Sequence, residues 1–246
     1  MKYTVIIILI LLVILMIHEF VVDPKHSIKH NKINTDVLVN DLLKYGDELT
    51  RVGIYTEDGK LGTYAKGFTN VSFKSLLEKS ETKLQYKTNL TQEHPVDIRV
   101  KRFVENELGV DPKMAKLRVC TGPWTFKAHF DTVGNYALLV YGTKDFLIFD
   151  LYDHERELEI LEEMKYKNNY DTMNLLDKYS IPYKLYKLTP GDILYIKPGV
   201  YHKVESDSPS MLLNIDTKNR CIECQEKFDK IWPKQKKVCA TNNCLY

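Results

Sequence analysis

Residues 128–149 read AHFDTVGNYALLVYGTKDFLIF, and residues 188–202 read LTPGDILYIKPGVYH. Side chains two residues apart in a β-strand point to the same face, so His129 and Asp131 are expected to project together into one cavity. In the second stretch, Pro-Gly-Asp predicts a turn, the next apolar residues a short strand, and a second Pro-Gly another turn just before His202. The two stretches therefore supply two histidines and one carboxylate.

Two histidines and one carboxylate on one side of a metal form the ligand set that selects non-haem Fe(II) and permits oxygen chemistry. The same trio can also hold Zn(II) or Mn(II). A lone His-x-Asp triplet is more often a surface or hydrogen-bonded group, but a second motif that ends in His favours a metal site.

Both stretches resemble the two metal-binding motifs of the JmjC/cupin-8 class of Fe(II)- and 2-oxoglutarate-dependent oxygenases, relatives of the asparaginyl and lysyl protein hydroxylases. In that family His-x-Asp is followed by an Asn and then by Gly-x-Lys before a hydrophobic strand. The matching residues here are His129, Asp131, Asn135, Gly142 and Lys144. Residues 190–202 resemble the distal motif of the family, in which Pro-Gly-Asp, a short strand and a Pro/Gly turn precede the second His.

The resemblance implies a role for each of seven residues. Fe(II) would be held by His129, Asp131 and His202, and 2-oxoglutarate would be contacted by Lys144, Asn135, Thr125 and Asn214. Lys144 would pair with the distal carboxylate, which also follows from physical chemistry, because a buried ammonium needs a counter-charge. Thr125 lies one residue further from His129 than the Thr of the family, whose place is taken by Phe126.

The expected fold is mainly β with flanking helices. Short apolar strands separated by Gly and Pro turns suit a jelly-roll, and the resemblance narrows this to a double-stranded β-helix, the cupin barrel. This barrel, with an N-terminal helical flank, is expected over residues 35–217. Apolar spacing predicts helices over 36–49 and 96–108, and an acidic helix over 154–166. A hairpin is predicted within residues 52–64.

The N-terminus carries an uninterrupted apolar run from Val5 to Ile17. No small-residue cleavage site follows it, which favours an uncleaved anchor over a signal peptide. We therefore expect a single-pass transmembrane segment over residues 1–22 and a polar stalk over 23–34. The lysines of the stalk favour a cytosolic barrel, but a short N-terminus before the anchor favours a lumenal or extracytosolic one, which is the orientation we expect.

The composition bounds the partners and the size. The chain has 246 residues, 35 Lys plus Arg and 33 Asp plus Glu, and a net charge of +2. This length suits one globular domain with attached segments. The balanced charge predicts no general attraction to nucleic acid.

The C-terminal tail, residues 218–246, is rich in Lys and Cys. Its four cysteines are Cys221, Cys224, Cys239 and Cys244. In an oxidising compartment they would form two disulfides, and the alternatives are a structural Zn(II) site or free thiols.

These patterns predict an enzyme, a membrane-anchored Fe(II)- and 2-oxoglutarate-dependent oxygenase that hydroxylates a protein or peptide side chain. Demethylation of methyl-lysine is a less favoured variant of the same chemistry. Two alternatives stay open at this stage. One is a cupin-like barrel that binds a ligand without catalysis, and the other is a metal-dependent cupin isomerase or dioxygenase that does not use 2-oxoglutarate.

Overall fold

The computed structural model describes residues 26–29, 33–44, 49–54, 67–72, 74, 84–87, 95–121, 123–152, 154–165 and 167–232. The strands in these ranges are β1 His26–Lys29, β2 Leu49–Ile54, β3 Gly67–Ser72, β4 Leu84–Lys87, β5 Ala115–Cys120, β6 Trp124–Thr125, β7 Val133–Tyr141, β8 Lys144–Phe149, β9 Tyr183–Leu188, β10 Ile193–Ile196, β11 Tyr201–Ser206 and β12 Ser210–Arg220. The α-helices are α1 Asp36–Leu43, α2 Pro95–Leu108, α3 Glu157–Met164, α4 Asn169–Lys178 and α5 Ile222–Ile231, and Pro112–Met114 form a 3-10 turn.

The strands form two antiparallel sheets. The larger sheet has the order β1-β10-β7-β12-β5-β4-β2-β3, and the smaller one has the order β6-β11-β8-β9. Strands distant in sequence are neighbours in both sheets, since β7 lies between β10 and β12, and β11 lies between β6 and β8. Residues 128–149 and 188–202, which carry the candidate ligands, therefore each contribute strands to both sheets.

Apolar side chains from both sheets meet in one interior core. Ala137 and Leu139 of β7 pack there with Phe146 and Ile148 of β8 and with Leu212 of β12. The intervening residues of β7 face the other way, so this strand is apolar on both faces because it is covered on both. The interior core lies between the sheets and surrounds the side chains that form the candidate site.

Helices cover the outer faces of both sheets. Leu38 and Leu42 of α1 and Val100, Phe103 and Val104 of α2 pack on the outer face of the larger sheet. On the smaller sheet the outer cover comes from α3, α4 and α5, whose apolar residues include Ile160, Met164, Leu175, Leu176 and Cys224. The prediction of a mainly β fold with flanking helices is confirmed.

The three predicted helices form, with different ends. The pattern at 96–108 becomes Pro95–Leu108, and that at 154–166 becomes Glu157–Met164. The helix predicted over 36–49 ends at Leu43, and Leu49 already belongs to β2, which pairs with β3 rather than with residues inside 52–64. The second half of that predicted hairpin lies outside the described residues.

Two segments expected to be peripheral belong to the domain. Residues 26–29, predicted as polar stalk, form β1 and pair with β10, because the edge of β10 offers unpaired backbone groups. The start of the predicted tail is also folded, since β12 continues to Arg220 and α5 follows. No helix of the described part is long and apolar enough to cross a bilayer. The predicted anchor at 1–22 lies outside that part.

Candidate metal centre

His129 and His202 face each other across an antiparallel bridge. The His129 N–H donates to the His202 carbonyl at 3.0 Å, and the His202 N–H donates to the His129 carbonyl at 2.8 Å. This closely bonded pair holds the two imidazole rings with their centroids 4.3 Å apart. His202 points into the interior, because its cross-strand partner Ile148 belongs to the interior core.

Asp131 is held beside the histidines by the turn that precedes β11. The Gly199 N–H donates to the Asp131 carbonyl at 2.9 Å. Gly199 has φ 78°, and a side chain there would meet Cys224 and Tyr152, so glycine suits this turn. One ligand atom from each of His129, Asp131 and His202 lies within 4.8 Å of the others. His202 Nε2 is 3.8 Å from Asp131 Oδ2, inside the limit of about 4.2 Å for two atoms bound to one ion.

Backbone carbonyls set the orientation of both imidazoles. His129 Nδ1 lies 2.9 Å from the Lys127 carbonyl, and His202 Nδ1 lies 3.1 Å from the Val200 carbonyl. A carbonyl can only accept, so each Nδ1 carries a proton and each Nε2 is the nitrogen available to a metal. This is the arrangement that orients histidine ligands in metal proteins.

The electrostatic environment keeps His129 neutral. Burial and the nearby His202 lower the pKa of His129 to about 4, against the opposing effect of Asp131. A metal ligand must be the neutral imidazole, so His129 is ready to bind metal without first losing a proton at neutral pH. Solvent reaches the cluster on the side of Asp131, because 37% of its side chain is exposed whereas His202 is buried.

Lys144 lies at the start of β8 with its amine in the interior. It pairs with Leu188, an interior core residue, and is only 1% exposed. Its Nζ has no hydrogen-bond partner among the described residues and lies 5.6 Å from the centre of the Phe126 ring. Burial lowers the pKa of Lys144, followed by a smaller effect of Arg118, while Cys120 acts in the opposite direction.

Asn135 and Asn214 are joined in one interior network. The Asn214 amide donates to Asn135 at 3.1 Å, and the Asn135 amide donates to Asp216 at 3.2 Å. Lys116 donates to the other oxygen of Asp216 at 2.7 Å. The side-chain oxygen of Asn214 is buried and has no partner within the described part of the chain, so it remains free to accept a bond.

Thr125 faces away from the candidate centre. It pairs with Glu205, and its hydroxyl donates to that carboxylate at 2.9 Å. Glu205 lies three residues from His202 on the same strand and therefore on its opposite face. Thr125 and His129 are four residues apart, but their partners on β11, Glu205 and His202, are only three residues apart. The extra residue is a bulge that places Phe126, not Thr125, on the face of His129.

Sequence reasoning missed Arg118 as a candidate site residue. Arg118 pairs with Leu212 of the interior core, so it points into the same space as Lys144. The signal was the alternation of the KLRVC strand, in which Lys116 and Arg118 share one face and Leu117 and Val119 the other. A charged face on a central strand predicts either solvent or a polar site.

The cysteines of the tail are paired locally in the structure. A disulfide joins Cys221 and Cys224 at the start of α5. Disulfide sulfurs offer no thiolate to Zn(II), so the two do not serve as zinc ligands here, in contrast to the zinc alternative. Cys239 and Cys244 lie outside the described residues.

The fold and the cluster together define a β protein of two facing sheets with a His-Asp-His group able to hold a metal ion. The sequence matches the cupin-like domain family over residues 19–215. The chain therefore belongs to the cupin-like domain family. No curated protein matches the chain.

Proposed function

We propose that this protein is an Fe(II)- and 2-oxoglutarate-dependent oxygenase that hydroxylates a protein side chain. One observation carries the proposal: the His129, Asp131 and His202 cluster shares the interior with the buried ammonium of Lys144, which has no hydrogen-bond partner among the residues that the structure describes. A metal site alone fits many reactions. A metal site that shares its interior with a buried cation fits a metal-chelating ligand that carries a second negative charge.

The residues fit Fe(II) by their chemistry. Two imidazoles and one carboxylate neutralise one of the two charges of the ion and leave coordination positions open, as non-haem Fe(II) oxygenases require. Structural Zn(II) sites normally have four protein ligands, and the described cluster contains three. The solvent-exposed side of Asp131 is where a cosubstrate and a substrate would approach.

Fe(II) and 2-oxoglutarate, when bound, would together reduce O2, so that one oxygen atom enters succinate as CO2 leaves and the other enters a substrate C–H bond. The chain itself would position the metal and the cosubstrate and would exclude water. Backbone carbonyls fix both histidine rings, Lys144 would anchor the distal carboxylate, and the free oxygen of Asn214 would accept a bond from a bound group. The apolar interior around Ile148 and Leu212 limits access of water.

The test is a binding experiment under anaerobic conditions. The full chain, kept in mild detergent, is loaded with Fe(II) and then with 2-oxoglutarate. We expect a visible charge-transfer band that appears only with both. It should be lost in His129→Ala because the metal is lost, and in Lys144→Met because the cosubstrate is lost while the metal stays bound.

Other outcomes distinguish the alternatives. Iron binding without the band would refute 2-oxoglutarate as cosubstrate and favour a metal-dependent cupin isomerase or dioxygenase. A folded protein without metal binding would favour a ligand-binding barrel.

A double-stranded β-helix is part of the proposal, supported by the two facing antiparallel sheets.

The proposed substrate and location rest on the sequence. The resemblance to protein hydroxylases supports a protein or peptide substrate, and the apolar run from Val5 to Ile17 supports a membrane anchor. We place the domain on the extracytosolic side. Protease protection in sealed membrane vesicles tests this, because a cytosolic domain would be digested without detergent.

A further inference from the structure

Two cations occupy the interior without a hydrogen-bonding or acidic partner in the described part of the chain. The Lys144 ammonium is one, and Arg118, whose buried Nε has no acceptor, is the other. They come from different sheets, Arg118 from β5 and Lys144 from β8, and both point inward because their cross-strand partners, Leu212 and Leu188, are interior core residues.

Both cations lie close to the ring of Phe126. Its centre is 5.9 Å from Arg118 Cζ and 5.6 Å from Lys144 Nζ. A ring face attracts cations, but this attraction is far weaker than the cost of two like charges confined in a low-dielectric space. The arrangement is therefore incomplete without an anion.

Lys116, on the same face of β5, is a cation whose charge is paired with an acid. It lies two residues from Arg118 on the same face of β5, and it binds Asp216 at 2.7 Å. Asp216 is thus already engaged by Lys116 and by Asn135. No acid among the described residues pairs with Arg118, although a guanidinium is the side chain best suited to bind a carboxylate with two hydrogen bonds.

We infer that Arg118 and Lys144 together bind the distal carboxylate of the cosubstrate, beside the ring of Phe126. This inference rests on the proposed function, because it assigns the anion as one end of 2-oxoglutarate. It also accounts for the outward direction of Thr125. The Arg118 guanidinium would make the contact to the cosubstrate that the resemblance assigned to the Thr125 hydroxyl. The pair makes the site selective for 2-oxo dicarboxylic acids over 2-oxo monocarboxylic acids.

The experiment compares two ligands on the full chain, kept in mild detergent and loaded with Mn(II), which avoids turnover. Calorimetry measures the binding of 2-oxoglutarate and of 2-oxopentanoate, which has a methyl group in place of the distal carboxylate. Loss of a charge-assisted hydrogen-bonding partner should weaken 2-oxoglutarate binding by Arg118→Met about 10- to 100-fold. Binding of 2-oxopentanoate should change by less than about 3-fold, and Arg118→Lys should recover part of the loss.

The matched control is Arg99→Met, which removes a partly buried guanidinium of α2 that pairs with Asp41 outside the barrel. It should leave both affinities unchanged. Wild-type affinity of Arg118→Met for 2-oxoglutarate, with Lys144→Met defective, would overturn the inference and leave the proposed function intact. An equal loss of both ligands would also overturn it. If the Mn(II)-loaded wild type binds no 2-oxoglutarate, the proposed function and the inference both fail.

If Arg118→Met does not fold, Arg118→Gln replaces it, and the ratio of the two affinities within one variant is the deciding quantity. That ratio is insensitive to a partly unfolded sample, because both ligands would lose the same fraction of sites. A wild-type ratio in Arg118→Gln would count against the inference.

Discussion

Replacing Lys144 with Met should stabilise the protein before any ligand is added. Lys144 is 1% exposed, its amine has no described hydrogen-bond partner, and burial lowers its pKa, so the folded state carries the cost of an unsatisfied charge. The unbranched side chain of Met fills nearly the same space without that charge. Removing a proton from an ordinary lysine at pH 7 costs about 4–5 kcal/mol. Because the buried amine can lose its proton instead, this value is the upper limit both of the cost of burying Lys144 and of the stability gained by Lys144→Met. We expect a gain of about 2 kcal/mol in the free energy of unfolding.

Urea denaturation of the metal-free protein at several pH values measures this gain. Between the lowered pKa of folded Lys144 and the ordinary pKa of an unfolded lysine, the unfolded chain binds more protons than the folded one. The wild type therefore becomes relatively more stable as the pH rises from 7 to 10, and the advantage of Lys144→Met shrinks. A variant that is less stable than the wild type at every pH would refute the reasoning.

A second buried lysine supplies the control. Lys203 is 0% exposed, and burial lowers its pKa to about 8, but its Nζ donates to the Phe126 carbonyl at 3.3 Å. Lys203→Met should give a smaller gain, because it also removes a hydrogen bond. Since Lys203 alternates with His202 and faces the outer layer, its replacement should weaken 2-oxoglutarate binding far less than Lys144→Met, which should abolish it.

Two further predictions concern the metal ligands and the turn that supports them. Because the pKa of folded His129 is lowered to about 4, the unfolded state binds the extra proton between pH 6.5 and 4, and the metal-free protein should lose about 2–3 kcal/mol of stability over that range. Denaturation curves should show this loss in the wild type and not in His129→Gln; the same slope in both would refute it. Gly199→Ala should cost about 2 kcal/mol and weaken Mn(II) binding, because an added Cβ lies 3.1 Å from Cys224 Sγ at a φ of 78° and the Gly199 N–H positions Asp131. Gly109→Ala, at a φ of 62° with no atom within 4 Å, is the matched control and should cost only the backbone strain; equal effects of both on metal binding would contradict the role of the turn.

The proximity of His129 and Asp131 could be predicted from the sequence because it depends on local geometry, whereas His202 joins them through pairing between distant segments. His129 and Asp131 are two residues apart, and the Pro-Gly turn before His202 is short, so few arrangements are open to them. The helix at 96–108 was likewise predictable, since its apolar spacing is a local pattern. Its first residue was not, because helix ends depend on what the neighbouring chain contacts.

The outward direction of Thr125 needed the structure. One extra residue between Phe126 and His129 reverses the face that each earlier side chain occupies, and a bulge leaves little trace in a single sequence. The strand at His26–Lys29 was missed for a similar reason. Its polar residues contain no alternating pattern, and it becomes a strand because β10 offers an open edge.

The sequence by itself determined the residue types that can bind a metal, the spacing that places them close together and the alternation that makes strands. Only the tertiary structure decided which polar side chains share the interior. Arg118 and Lys144 are 26 positions apart in different sheets, yet both lie within 6 Å of the Phe126 ring centre. The physical reason is that the period of a strand is a local property of the backbone, whereas the face that becomes the interior depends on pairing between strands far apart in the chain.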